Sequence, residues 1–136
     1  ENMKRVVVPW TYRGKLLSVS SVRDADRVIG LMASREIARV SLIVNRIKSD
    51  LVRSGDMLTV EDVEDILGQK AIGTVFDDAS IVRATNLGEA AVNIPSSKAG
   101  KEYMRIARRL TGEEIPLNVP GGIPGFIDRI LGRKAI

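Results

Sequence analysis

The chain has 136 residues, 44% of them hydrophobic, which is enough for one domain or for part of one. It contains no cysteine and no histidine, and this excludes disulfides, thiol or imidazole catalysis and zinc sites with the usual ligands. Lysine and arginine outnumber aspartate and glutamate by 21 to 17, and the net charge of +4 suits an anionic partner without identifying one.

Residues 1–18 predict little regular structure. Val6–Val8 favours a short strand that Pro9 ends. The valine run is too short for a signal-peptide core, and no apolar run in the sequence is long enough to span a bilayer, so we expect a cytoplasmic protein. The sequence begins with Glu1 rather than Met, as a piece of a longer protein would.

The next stretch predicts a helix and then a buried strand. Apolar residues recur at three- and four-residue steps from Ser21 to Arg35, which is the period of an amphipathic helix. Val40–Val44 is a short apolar run followed by the polar pair Asn45 and Arg46. Such a run is typical of a buried parallel strand that delivers polar side chains at its carboxyl end.

Three more helices and one more strand follow. Thr59–Asp62 has the pattern of a capping box, so a helix begins there and Gly68 ends it. Ala71–Phe76 favours a second buried strand, Ser80–Leu87 favours a short helix, and Lys98–Leu110 favours a longer one. The residues predicted to face inward are Val60, Val63, Ile66 and Leu67 on the first of these helices and Ala99, Met104, Ile106, Ala107 and Leu110 on the last. This alternation of helices and strands predicts an α/β fold with a parallel sheet that two or three strands would leave incomplete.

The C-terminal region divides into a linker and a tail. Residues 113–122 are rich in proline and glycine, which is typical of a flexible linker. Residues 123–136 predict an amphipathic helix with apolar positions Ile123, Phe126, Ile127, Ile130 and Leu131 and basic positions Arg129, Arg133 and Lys134. This pattern fits an anchor in the plane of an anionic membrane surface, and it also fits a terminal helix packed on its own domain.

Five blocks of the sequence coincide with the pattern of one protein family. They are residues 20–31, 42–47, 55–63, 72–78 and 84–89. In order and spacing they resemble the C-terminal half of the MinD family of deviant P-loop ATPases. The resemblance implies the C-terminal part of a doubly wound P-loop NTPase sheet in residues 19–112, followed by the linker and the amphipathic helix. Residues 1–18 do not match.

Family members use ATP and Mg²⁺, dimerise around ATP and regulate septum placement. The resemblance therefore implies a homodimer in the full-length family, an anionic membrane surface, and MinC-like and MinE-like proteins as partners. It places the protein in the cytoplasm, peripheral on the inner face of the cell membrane. Arg23, Asp24 and Asp26 match the partner surface of the family, whereas by themselves they fit an exposed helix start with charge pairs.

Four residues match the family's adenine-binding positions. Asn45 and Arg46 follow the first strand, and an asparagine amide can both donate to and accept from an adenine edge. Asp77 and Asp78 match the loop beside the base, although Phe76 stands where most members have proline. Without the resemblance, Asn45 and Arg46 fit a turn, and the two aspartates fit a solvated loop or a helix N-cap.

The sequence lacks the motif that would hold phosphates. A P-loop ends in Gly-Lys-Ser or Gly-Lys-Thr, whereas Leu16 follows Gly14-Lys15 and Glu102 follows Gly100-Lys101. We therefore assign no catalytic and no metal-binding residue, and we expect this chain alone to hydrolyse no ATP and to need no cofactor. The alternative is a non-catalytic membrane-binding adaptor, or a truncated gene product, that binds no nucleotide. A nucleic-acid binder ranks last because the basic charge is small and spread out.

Overall fold

The computed structural model describes residues 19–37 and 39–119. The predicted Val6–Val8 strand and the amphipathic segment 123–136 lie outside these residues. The helices and strands follow in the order α1 Val19–Ser34, β1 Leu42–Ile47, α2 Ser49–Ser54, α3 Val60–Leu67, β2 Ala71–Phe76, α4 Ala79–Leu87, a 3₁₀ turn Ala91–Asn93 and α5 Lys98–Leu110.

Two parallel strands form the centre of the described residues. β1 pairs with β2, and the connection between them carries α2 and α3. Parallel pairing requires such a crossover because the chain must return to the edge from which the first strand started. The prediction of an α/β fold with a parallel sheet is confirmed.

Helices cover both faces of this sheet. Neighbouring strand residues such as Ile43 and Val44 point to opposite faces, and both are buried. One face packs in a buried cluster that includes Val22 of α1, Val44 and Val63 of α3. The other face packs against α5 in a second cluster of Ile43, Val75, Ala99 and Ile106.

The cap of α3 agrees with its sequence signature. The Thr59 hydroxyl accepts from the Asp62 N–H at 3.1 Å, and the Asp62 carboxylate accepts from the Thr59 N–H at 2.9 Å. Gly68 ends the helix at a φ of 61°, in the left-handed region that glycine adopts without a Cβ penalty. The predicted capping box and helix end are therefore confirmed.

Some local predictions were wrong. α2 was missed because a helix of six residues with one buried side chain, Val52, shows no readable period. Ile66 and Met104 are 55% and 51% exposed, and Ala107 is exposed as well, although all three were predicted to face inward. In the part of the chain that the structure describes, no helix is both long and apolar enough to cross a membrane.

The segment 113–119, which was predicted to be part of a flexible linker, makes hydrogen bonds with α5 and β2. Arg109 of α5 donates from Nε to the Ile115 carbonyl oxygen at 2.7 Å. The Thr74 hydroxyl of β2 donates to the Asn118 carbonyl oxygen. Composition misses these contacts because the donors are side chains of other elements, and they satisfy backbone carbonyl groups of a segment that has no regular structure of its own. Residues 120–122 of the predicted linker lie outside the described residues.

Gly73 sets how closely α5 can approach the sheet, since a Cβ added there would overlap the side chain of Ile106. We expect Gly73→Ala to push α5 away and to lower the free energy of unfolding by about 1–3 kcal/mol. Urea denaturation followed by circular dichroism measures this change. Gly30→Ala is the matched control, because a Cβ at this exposed α1 position meets nothing within 4 Å. The free energy of unfolding of this control should rise by about 0.5–1 kcal/mol. If Gly73→Ala unfolded at the same urea concentration as wild type, the prediction would be contradicted.

Candidate functional site

Polar residues from both strands meet at one edge of the sheet. Asn45 and Arg46 lie near the carboxyl end of β1, and Asp77 follows β2 directly. The Asp77 N–H donates to the Ile47 carbonyl oxygen at 2.9 Å, so the parallel pairing continues to this point. Asn45 and Arg46 are part of the strand rather than following it, because β1 extends to Ile47.

A bulge in β1 shapes this edge. Val44 pairs with Thr74 and Ile47 pairs with Phe76, so β1 carries one more residue than β2 between these pairs. Arg46 accommodates the extra residue with a φ of 58°, a left-handed conformation that is uncommon for a residue with a side chain. Strain of this kind costs on the order of 1–3 kcal/mol and is concentrated at binding sites, where bulges redirect side chains.

Two basic side chains lie beside the Asp77 carboxylate at the edge of the site. This carboxylate lies 3.4 Å from Arg46 Nε and 3.9 Å from Lys48 Nζ. The three side chains are 40–48% exposed, so solvent screens these ion pairs and each contributes little to stability. Because these ion pairs are weak, a ligand can replace one partner of a pair with little loss of stability. The sequence analysis missed Lys48, because a lone lysine after a strand carries no distinctive pattern.

Asn45 is held on one side of its amide. Its Oδ1 accepts from the Arg46 N–H at 2.8 Å and from the Tyr103 hydroxyl of α5 at 3.5 Å. Tyr103 was not identified as a site residue. The available signal was a tyrosine on the same helical face as Ala99 and Ile106, since a half-buried tyrosine usually directs its hydroxyl to a polar partner.

Asp78 has a structural environment that differs from that of Asp77. Its carboxylate caps α4 by accepting from the Ser80 N–H at 2.8 Å, and it also accepts from the Ala99 N–H at 3.0 Å and the Ser97 hydroxyl at 3.2 Å. These bonds, first among them the one from the Ala99 N–H, hold the pKa of Asp78 well below its usual range. This geometry favours the N-cap interpretation over the predicted nucleotide contact, because the chain itself occupies both oxygens.

The predicted partner residues lie on a different element. Arg23, Asp24 and Asp26 are exposed on the first half of α1, in a position that a partner protein could reach. No contact in the structure assigns them a ligand, so the partner surface stays a prediction.

The site can recognise a planar heterocycle next to an anionic group. The Asn45 amide and the Asp77 carboxylate offer hydrogen bonds, and Arg46 and Lys48 exceed Asp77 by one positive charge. Within the described ranges, no cluster of three or more acidic, histidine or cysteine residues could hold a metal ion.

Comparisons with known sequences lead to one group of proteins. No protein-family model matches the chain. The septum site-determining protein MinD of Synechocystis is 46% identical over 99 residues, which is 72% of this chain and 37% of the relative. MinD of Bacillus subtilis is 40% identical over 102 residues, 74% of this chain and 38% of the relative. The chain thus spans less than half the length of these curated relatives.

Solved structures agree with the sequence relatives. The MinD cell division protein of Aquifex aeolicus superposes with a TM-score of 0.74 at 43% identity, over 84% of this chain and 45% of that chain. The MinC:MinD complex from the same organism gives the same TM-score and identity and covers 44% of the matched chain. The cell division ATPase MinD of Pyrococcus furiosus, at 23% identity and a TM-score of 0.58 over 69% of this chain and 38% of that chain, supports the fold alone. The predicted fold class is confirmed, and the partial coverage is consistent with a C-terminal half.

The capping role of Asp78 predicts a pH-dependent stability. Because folding lowers the pKa of this carboxyl, its stabilising effect is complete above the unfolded pKa of about 3.9 and is lost as the pH falls below that value. We expect Asp78→Asn to lower the free energy of unfolding at neutral pH by about 1–3 kcal/mol, since an amide nitrogen would face donors.

Urea denaturation at a series of pH values should show the difference between Asp78→Asn and wild type shrinking as the solution is acidified below pH 4. Asp24→Asn on exposed α1 is the control and should change stability little at any pH. If the difference in free energy of unfolding between Asp78→Asn and wild type stayed constant below pH 4, the charge of the Asp78 carboxylate would make no contribution to stability.

Proposed function

The chain belongs to the MinD family of septum site-determining proteins, and on that premise we propose that it forms the base-binding side of an ATP site. The observation that carries this proposal is that Asn45, near the end of β1, and Asp77, directly after β2, lie at the same carboxyl edge of two adjacent parallel strands. In open α/β sheets, nucleotides bind at that edge. We propose septum placement as the process in which the chain acts.

The residues of this chain have distinct tasks in that proposal. Asn45 binds the base through its amide, and the bulge at Arg46 directs that amide. Asp77 accepts a hydrogen bond from a base amine, and Arg46 and Lys48 offset the negative charge of the nucleotide. Bound ATP supplies the phosphoryl group for hydrolysis. No Gly-Lys-Ser or Gly-Lys-Thr sequence occurs in the chain, so we assign the phosphate-binding step to none of its residues.

We expect binding of the base to be weak in this chain because the phosphate contacts of a P-loop are missing. Calorimetry should detect no millimolar-or-better binding of ATP. A titration to tens of millimolar followed by amide NMR should shift the signals of Asn45, Arg46 and Asp77 with adenosine and much less with uridine. Asn45→Ala should remove that response.

Asn86→Ala is the matched control, because Asn86 is an exposed amide on α4. It should leave the adenosine response unchanged. Equal shifts with both nucleosides, or none with adenosine, would contradict the proposal and favour an adaptor that binds no nucleotide.

We also propose partners for this chain. The solved MinC:MinD complex, whose MinD chain matches 84% of this one, supports a MinC-like partner. The exposed charges of α1, Arg23, Asp24 and Asp26, are the candidate contact for a MinC-like or MinE-like protein. Homodimerisation around ATP is the arrangement that the proposed site would serve.

The segment 123–136 is proposed as a membrane anchor, peripheral on the inner face of the cell membrane. Five of its apolar residues recur at the spacing of one face of a helix, and three of its four charged residues are basic. The described chain leads toward it through residues fixed to the domain, since Arg109 and Thr74 hold the segment 113–119. The proposed anchor thus comes a few residues after a segment that is hydrogen-bonded to the domain.

Co-sedimentation with vesicles of anionic phospholipid tests the anchor. We expect Phe126→Asp combined with Ile127→Asp to reduce binding at least tenfold, since each apolar side chain contributes up to about 1.5–3 kcal/mol when fully buried. Val82→Asp combined with Leu87→Asp is the control, because both are exposed apolar residues of α4. Unchanged binding by the Phe126 and Ile127 double variant would show that the segment is not the anchor.

A further inference from the structure

We infer that Tyr103 is a positioning residue that holds the Asn45 side chain against α5, while the Arg46 N–H keeps Oδ1 turned toward the protein and leaves Nδ2 for the base. This inference rests on the proposed nucleotide site. It adds a residue of α5, on a separate helix, to a site otherwise built from the ends of the two strands.

The two donors around Oδ1 determine which end of the amide faces inward. The Arg46 backbone N–H can only donate, so an amide nitrogen in place of Oδ1 would oppose it. The Tyr103 hydroxyl of α5 approaches the same oxygen to 3.5 Å and donates toward it from a different element. The backbone donor thus selects the amide end, and Tyr103 holds the whole side chain against α5. At 3.5 Å this contact is long, as such bonds often are before a ligand binds.

Packing holds the Tyr103 ring in place. The ring is half-buried against the cluster that contains Ile43 and Val75, on the face of the sheet covered by α5. Gly73 lets Ile106 approach the sheet closely, which keeps α5 and its tyrosine near β1. The ring is therefore anchored by apolar contacts, while the hydroxyl reaches the polar edge of the site.

The orientation has a consequence for which base the site prefers. With Oδ1 engaged, Asn45 presents its amide nitrogen as a donor, and the carboxylate of Asp77 presents an acceptor. An adenine edge offers an amine donor beside a ring-nitrogen acceptor, whereas guanine places a carbonyl oxygen where adenine has the amine. Asp77 would repel that oxygen. The adenine of the proposed ATP site fits this orientation of the amide.

Tyr103→Phe in the full 136-residue chain tests this inference, because it removes the hydroxyl and retains the ring. We expect the NMR signals of the Asn45 side-chain amide to move in the absence of any ligand. We also expect adenosine affinity to fall about three- to tenfold and the preference for adenosine over guanosine to narrow. Met104→Leu, at the exposed neighbouring position of α5, should change neither.

An Asn45 amide that does not respond to Tyr103→Phe would overturn the inference. If that variant fails to fold, the wild-type chain still decides, because Asn45 amide protons should show nuclear Overhauser contacts to the Tyr103 ring, and their absence overturns it equally. If the amide responds but wild type shows no response to adenosine, the positioning contact stands and the proposed nucleotide function fails.

Discussion

The parallel pairing of β1 with β2 is the constraint on which the candidate site depends. Because parallel strands end at the same edge, Arg46 and Asp77, 31 positions apart in the sequence, lie within 3.4 Å of each other. Antiparallel pairing would separate them by the length of a strand. The crossover through α2 and α3 and the packing of α5 on the opposite face both stabilise this pairing.

Neighbouring residues at this edge have different environments. The Asp78 carboxylate accepts hydrogen bonds from the N-terminus of α4 and from the start of α5. It therefore joins two helices to the end of β2. Asp77, one residue earlier, faces two exposed cations and remains exchangeable. The two adjacent carboxylates thus have different roles: that of Asp78 stabilises the fold, and that of Asp77 is available to bind a ligand. Their difference follows from the hydrogen-bond donors that each one meets.

Several features of this chain were readable from the sequence because they are local. The capping box of Thr59 and Asp62 needs only residues three apart, and β2 was predicted with its observed bounds because its apolar run is continuous. The bulge at Arg46 was not predictable, since it depends on the register between two strands. The docking of 113–119 was hidden for a similar reason, as Arg109 and Thr74 supply its donors from other elements.

The sequence by itself determined the class of fold, the family resemblance and the residue types at the candidate site. Those properties follow from periodicity, caps and short blocks of residues, which act over a few positions of the chain. Only the tertiary structure decided that Ser97 and Ala99 also donate to Asp78, that Arg46 stands in a bulge of the strand and that Tyr103 reaches Asn45. Each of these depends on atoms brought together from distant segments, and no local pattern records that distance.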